Sequence, residues 1–270
     1  MDRSLDRRRF LYGLGAAPAL PLLGGGFPGG PAAGPSGART LPAGFPRQDP
    51  ALVREVVGAA HNDLERVRTL VELRPALARA SWDWGFGDWE TALGAASHVG
   101  RPDIAAYLMG HGARPTLFTF AMLGRVDAVR AAIEAEPGVE AILGPHGITL
   151  LAHARAGKEA AASVVEYLES LGTADPRPPE VPLPPDEVPA YSGVYAFGDS
   201  PEERAEVGER RGSLTIRVGG EATRVLVHVG GGAFHPSGVP SVRVVFSRAG
   251  GRAALAVHDG DAVLEAVRVT

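Results

Sequence analysis

The chain of 270 residues has no cysteine, which excludes disulfides, zinc ribbons, thiol nucleophiles and a lipoprotein anchor. Lysine is almost missing too: of 27 basic residues only Lys158 is one. That bias reads as GC-rich coding rather than as a set of phosphate-binding arginines. With a net charge of -4 and a pI near 6.1 there is no basic stripe, so nucleic acid is not an expected partner. Short catalytic motifs are absent: no Gly-x-Ser-x-Gly elbow, no P-loop, no Gly-x-Gly-x-x-Gly after a strand, no His-Glu-x-x-His. The glycine runs at 24–26 and 230–232 read as spacer and turn. No pair of histidines has close metal-ligand spacing, so the sequence predicts no metal site and no cofactor.

What is present begins with an address. Arg7, Arg8 and Arg9 lead into Phe10 and Leu11, then into an apolar stretch broken by Gly, Ala and Pro that ends at Leu23. The stretch is too short to span a bilayer as a stable helix and has the flanks of a secretion signal. Arg7, Arg8, Phe10 and Leu11 resemble the twin-arginine export motif, with Tyr12 where that motif often has Lys. Small-residue cleavage sites follow at Pro31-Ala32-Ala33 and Ser36-Gly37-Ala38. The resemblance implies a periplasmic or otherwise extracytoplasmic protein with no stable membrane span after processing; the bland alternative is a cytoplasmic tail. Residues 1–38 are thus assigned to signal and spacer, and 39–50 to disordered spacer.

The next region repeats itself. Asn62–Pro75 (NDLERVRTLVELRP) aligns without a gap on Gly124–Pro137 (GRVDAVRAAIEAEP) at an offset of 62 residues. That is close to two units of the roughly 33-residue repeat class. Each unit reads as an inner helix of small residues (Val53–Ala60, Thr91–Ser97, Thr119–Leu123, Thr149–Ala156), a Gly or Asn turn, and an outer helix with aliphatics at helical spacing. Ala95–Gly100 and Leu108–Ala113 match the ends of the two helices of an ankyrin repeat. Residues 51–174 therefore resemble an ankyrin-repeat domain, although its Thr-Pro-Leu-His opening becomes Glu90-Thr91-Ala92-Leu93 and Ile148-Thr149-Leu150-Leu151. The resemblance implies an α-helical solenoid that binds through its fingers and concave helix face.

Residues 175–189 contain seven prolines and read as a stiff linker. From 190 the period changes to two: Leu214/Ile216/Val218, Val225/Val227/Val229, Val242/Val244/Phe246 and Val263/Val267/Val269, separated by Gly- and Pro-rich turns. This spacing predicts a small antiparallel β-barrel or sandwich. Tyr191-Ser192-Gly193-Val194-Tyr195 resembles the opening of small β-domains appended to beta-lactamase-like serine hydrolases, but no hydrolase domain precedes it. The expected fold class is therefore α+β multidomain, a solenoid followed by a barrel or sandwich.

All three tryptophans lie between Ser81 and Glu90. Trp82, Trp84, Phe86 and Trp89, with Asp88 and Glu90 as an acidic rim, form a candidate binding finger, because buried aromatics dominate interface energetics. The competing reading makes the tryptophans a cap on the end of the helical array. His146, in Gly144-Pro145-His146-Gly147, is a further candidate contact or else an ordinary turn residue. The expected function is an exported, monomeric interaction or scaffold module for an unidentified protein partner. The alternatives are a ligand-sensing or hydrolase-associated module using the barrel or the interdomain groove, and, more remotely, an enzyme using Asp88, Glu90 and His98.

Overall fold

The computed structural model describes residues 46–249 and 252–269. Arg7, Arg8, Phe10 and Leu11 of the export motif, and both cleavage sites, lie outside the described residues.

Among the described residues eight helices come first, in four pairs. They are α1 Pro50–Ala59 with α2 Leu64–Leu73, α3 Ala92–His98 with α4 Pro102–Gly110, α5 Leu117–Met122 with α6 Val126–Ala135, and α7 Leu150–Ala156 with α8 Ala162–Leu171. Their starts are written locally. Asp49 and Asp63 accept hydrogen bonds from the first-turn amides of Ala51 and Arg66. Thr91, Thr116 and Thr149 cap α3, α5 and α7 in the same way. Within each pair an aliphatic stripe is buried: Val67, Leu70 and Val71 on α2, Ile104 and Leu108 on α4, Val129 and Ile133 on α6, Val164 and Leu168 on α8.

These pairs do not build an ankyrin-type solenoid, and that expectation is corrected. In a solenoid each repeat touches only its neighbours. Here α3 packs on α1 and α5 and also reaches α7, two pairs away. The second row of helices is interrupted: α2 meets α4 and α6 meets α8, with no comparable packing of α4 on α6. The buried side chains accordingly fall into two clusters, one around α1–α4 and one around α5–α8. Uneven insertions break the repeat register. A 3-10 turn and the hairpin of β1 (Ser81–Asp83) and β2 (Trp89–Thr91) separate α2 from α3, and 3-10 turns at Val139–Ala141 and Pro145–Gly147 separate α6 from α7. The likeness of Asn62–Pro75 to Gly124–Pro137 is that of α2 to α6, the second helices of the first and third pairs.

Close approach between pairs depends on glycine. Gly100 (φ +73°) and Gly124 (φ +71°) sit in the left-handed region after α3 and α5, and a Cβ would meet Ala156 O at 2.2 Å and Ala160 O at 1.9 Å.

A short helix, α9 (Val188–Tyr191), leads into a closed barrel of eight antiparallel strands. They are β3 Gly193–Ala196, β4 Arg204–Arg210, β5 Ser213–Val218, β6 Arg224–Gly230, β7 Ala233–Pro236, β8 Val242–Ala249, β9 Arg252–Asp259 and β10 Ala262–Arg268. Closure comes from β10 pairing with both β9 and β3, which leaves no free sheet edge. Tyr195, Leu214, Ile216, Leu226, Phe234 and Val244 fill the interior. On β10 the inward residue is Ala266, while Val263 and Val267 face out, and Val269 just beyond the strand is exposed too.

Among the described residues, barrel and helices belong to one compact unit. The segment before α9 lies along the barrel, where the Val181 amide donates to His228 O. Phe86, at the tip of the β1–β2 hairpin, packs against the barrel's buried cluster. Among the described residues no helix is long and apolar enough to cross a membrane.

Candidate metal centre

Four side chains from four separate segments meet where the hairpin passes between the helices. His61 follows the end of α1, Glu90 is the central residue of β2, His98 is the last residue of α3, and His146 sits in the 3-10 turn before α7. One donor atom from each lies within 4.8 Å of all the others. The short edges are Glu90 Oε1 to His98 Nε2 at 2.9 Å, His61 Nε2 to His98 Nε2 at 3.2 Å, Glu90 Oε2 to His146 Nε2 at 3.4 Å and Glu90 Oε2 to His61 Nε2 at 3.6 Å. A tetrahedral ion with bonds of about 2.0–2.1 Å needs its donors about 3.3–3.4 Å apart, and these edges bracket that value.

The protonation pattern directs lone pairs inward. His61 Nδ1 donates to Gly58 O at 3.0 Å, which leaves Nε2 as the lone-pair nitrogen of the neutral ring. His146 Nδ1 donates to Asp88 Oδ2 at 2.7 Å, so Nε2 is the nitrogen that presents a lone pair once the ring gives up its second proton. Glu90 is completely buried, and its Oε1 makes no aligned hydrogen bond despite lying 2.9 Å from His98 Nε2. Two imidazole lone pairs and a buried carboxylate cannot crowd together without positive charge between them.

Without a metal, protons supply that charge. Burial opposes the Glu90 carboxylate, but the adjoining imidazoles of His146 and His98 outweigh it and hold its pKa at about 2. Asp88 is likewise held at about 2, against its burial, by the His146 side chain and amide and by Arg224. His146, hydrogen-bonded to Asp88 and then Glu90, is raised to about 9 in spite of partial burial. The same positive charge can come from a divalent ion.

A second layer fixes the ring orientations. Asp88 Oδ2 also accepts from Arg224 Nη2 at 2.8 Å, and that nitrogen donates to Trp84 O at 3.0 Å. Arg224 begins β6, so the barrel itself braces the carboxylate that orients His146. Trp84 Nε1 donates to Glu90 Oε2 at 2.8 Å. A close Gly147–Gly238 approach seats the His146 turn against the loop after β7.

The residues singled out from sequence are therefore divided by the fold. Glu90, His98 and His146 come together as donors, and Asp88 and Trp84 support them. Trp82 is half-buried on the helical core with Arg54 over its ring, and Phe86 belongs to the barrel contact. Trp89 points outward and is 62% exposed. His61 was missed, because its partners are 29, 37 and 85 residues away in the chain. The available signal was the matching position of His61 and His98 at the ends of successive first helices. Compared with known protein families, curated proteins and solved structures, the chain matches none.

Proposed function

We propose that this protein binds one divalent transition-metal ion, zinc foremost, through His61, Glu90, His98 and His146. The supporting observation is the convergence of three imidazole nitrogens and one buried carboxylate oxygen, all within 4.8 Å of one another. Three nitrogens and one oxygen suit zinc and its first-row neighbours, and offer too few oxygens for calcium or magnesium. Carboxylate and backbone partners behind His146 and His61 are the outer shell that ligating histidines use. Four protein donors complete a tetrahedron, which favours an ion that ties segments together over one holding an open position for substrate. The ion would join the ends of α1 and α3, the hairpin and the turn before α7. Titration of the chelator-treated chain with zinc, in competition with a chromophoric chelator, tests this. One zinc per chain is expected, with at least about a hundred-fold weaker binding in His98→Ala and His146→Ala variants that keep their circular dichroism. Equal affinity in wild type and variants would overturn the assignment.

A second reading, an exported interaction module with an unidentified protein partner, is supported by the exposure of Trp89 beside Ile142, itself 44% exposed. Export rests on Arg7, Arg8, Phe10 and Leu11. A periplasmic pull-down comparing wild type with Trp89→Ala tests it: loss of one stoichiometric partner supports the reading, and identical captures remove it.

A further inference from the structure

A cavity of about 650 Å³ lies beside the four-donor cluster, between the helices and the barrel. None of the four donors lines it. Its walls are mostly apolar, with Phe118, Ile142, Leu143, Pro145 and Val239 among them. The volume falls in the range of about 300–1,000 Å³ common for small-molecule sites. One wall residue is out of place in such a lining. His153, on α7, is fully buried, and its Nδ1 donates to Thr149 O at 2.9 Å. Its Nε2 is therefore a lone-pair acceptor, and it is buried with no hydrogen-bond partner among the described residues. Leaving a buried acceptor unsatisfied is costly.

Gly144 keeps that edge of the ring clear. Its backbone is extended (φ -83°), so glycine is not required by conformation. A Cβ there would instead sit 3.0 Å from His153 Cε1, the carbon next to Nε2, and 3.2 Å from Phe118 Cε1. Gly144 also lines the cavity. Among the other polar wall groups, the Asp88 carboxylate is engaged by His146 and Arg224, Thr91 Oγ1 accepts from the Gly94 amide, Thr116 Oγ1 accepts from the Thr119 amide, and Ser241 lies on the exposed rim.

We infer that this cavity binds an apolar, ring-containing small molecule that carries an N–H or O–H donor, and that His153 Nε2 accepts that hydrogen bond. The site is separate from the metal centre and does not rest on it. Such a molecule fills the apolar walls and satisfies the acceptor at once, whereas a purely apolar one leaves the acceptor stranded.

The probes are indole, which has one N–H donor, and 1-methylindole, which has the same ring and none. Each is titrated by calorimetry into the full chain, zinc-loaded and chelator-treated. Saturable 1:1 binding of indole is expected, with 1-methylindole at least about ten-fold weaker. In His153→Phe the two probes should bind alike. Should that variant not fold, Ser241→Trp on the exposed rim is expected to weaken indole at least about five-fold while leaving zinc affinity unchanged. Equal affinities in wild type, no binding of either probe, or indifference to Ser241→Trp would overturn the inference. Indole binding without any zinc binding would remove the metal assignment alone.

Discussion

Asp88 Oδ2 lies 2.7 Å from His146 Nδ1, and the same carboxylate accepts from the His146 amide at 2.8 Å. Asp88 thus fixes both the backbone and the ring of a residue 58 positions away, whose φ of +59° is itself unusual for a non-glycine. If this contact orients a ligating imidazole, Asp88→Asn should weaken zinc affinity by about 10–100-fold without abolishing it. Arg224→Ala, one step further out, should weaken it in the same direction and by less. Competition titration with parallel circular dichroism checks both; unchanged affinity in folded Asp88→Asn would contradict the role.

The metal-free chain should lose stability with rising pH in a defined window. His146 titrates at about 9 in the fold, above its ordinary 6.5. Its contribution is fully present below 6.5 and is lost as pH climbs through 9. Urea midpoints measured from pH 6 to 9.5 should fall across that interval, and the slope should flatten in His146→Gln. A second loss belongs at the acid end, because Glu90 at about 2 sits below its ordinary 4.5. That contribution is present above 4.5 and disappears as pH falls through 2. Zinc binding at pH 7 must displace the His146 proton, so calorimetry in two buffers of different ionisation enthalpy should show proton release.

Glycines with similar φ values should differ sharply in their tolerance of alanine. Gly100 and Gly112 both have positive φ, at +73° and +88°. A Cβ at Gly100 meets Ala156 O at 2.2 Å, whereas nothing lies within 4 Å at Gly112. Gly112→Ala should cost about 1–2 kcal/mol for the left-handed backbone alone. Gly100→Ala should cost about 1–3 kcal/mol more, because α3 and α7 must then separate. Equal unfolding free energies would contradict the close approach.

The aromatic finger offers a matched pair. Trp84→Phe removes the donor to buried Glu90 Oε2 and should destabilise by about 1–3 kcal/mol. Trp89→Phe, at an exposed position, should stay within about 0.5 kcal/mol of wild type. Denaturant unfolding of the two variants separates a finger that is internally supported from one that is wholly surface.

Local structure was legible because its causes are local. Thr91, Thr116 and Thr149 as caps, and the aliphatic spacing of α2 and α6, are written within a few residues of where they act. The alternation on β5 and β8 marks the barrel's inner face correctly at Leu214, Ile216, Val242 and Val244. It misleads on β6 and β10, where Leu226 and Ala266 point inward and valines cover the outside. A β-branched residue suits either face of a strand, so valine alone does not set parity. The arrangement of the helix pairs was not legible, because the insertions between them follow no period. The donor cluster was hidden for a related reason. Spacing rules find ligands that share one helix or one turn, whereas these four are brought together only when the hairpin threads between α1, α3 and the turn before α7. Asp88 and Glu90 were visible as a pair, but as solvated rim charges; the fold buries both.

X-ray absorption at the zinc edge of the zinc-loaded chain tests the metal centre most directly. Four nitrogen or oxygen scatterers at about 2.0–2.1 Å, with outer-shell scattering from three imidazoles, are expected, and His61→Ala should remove one imidazole. Six oxygen-type scatterers with no imidazole signature, or a spectrum unaltered by His61→Ala, would contradict the assignment.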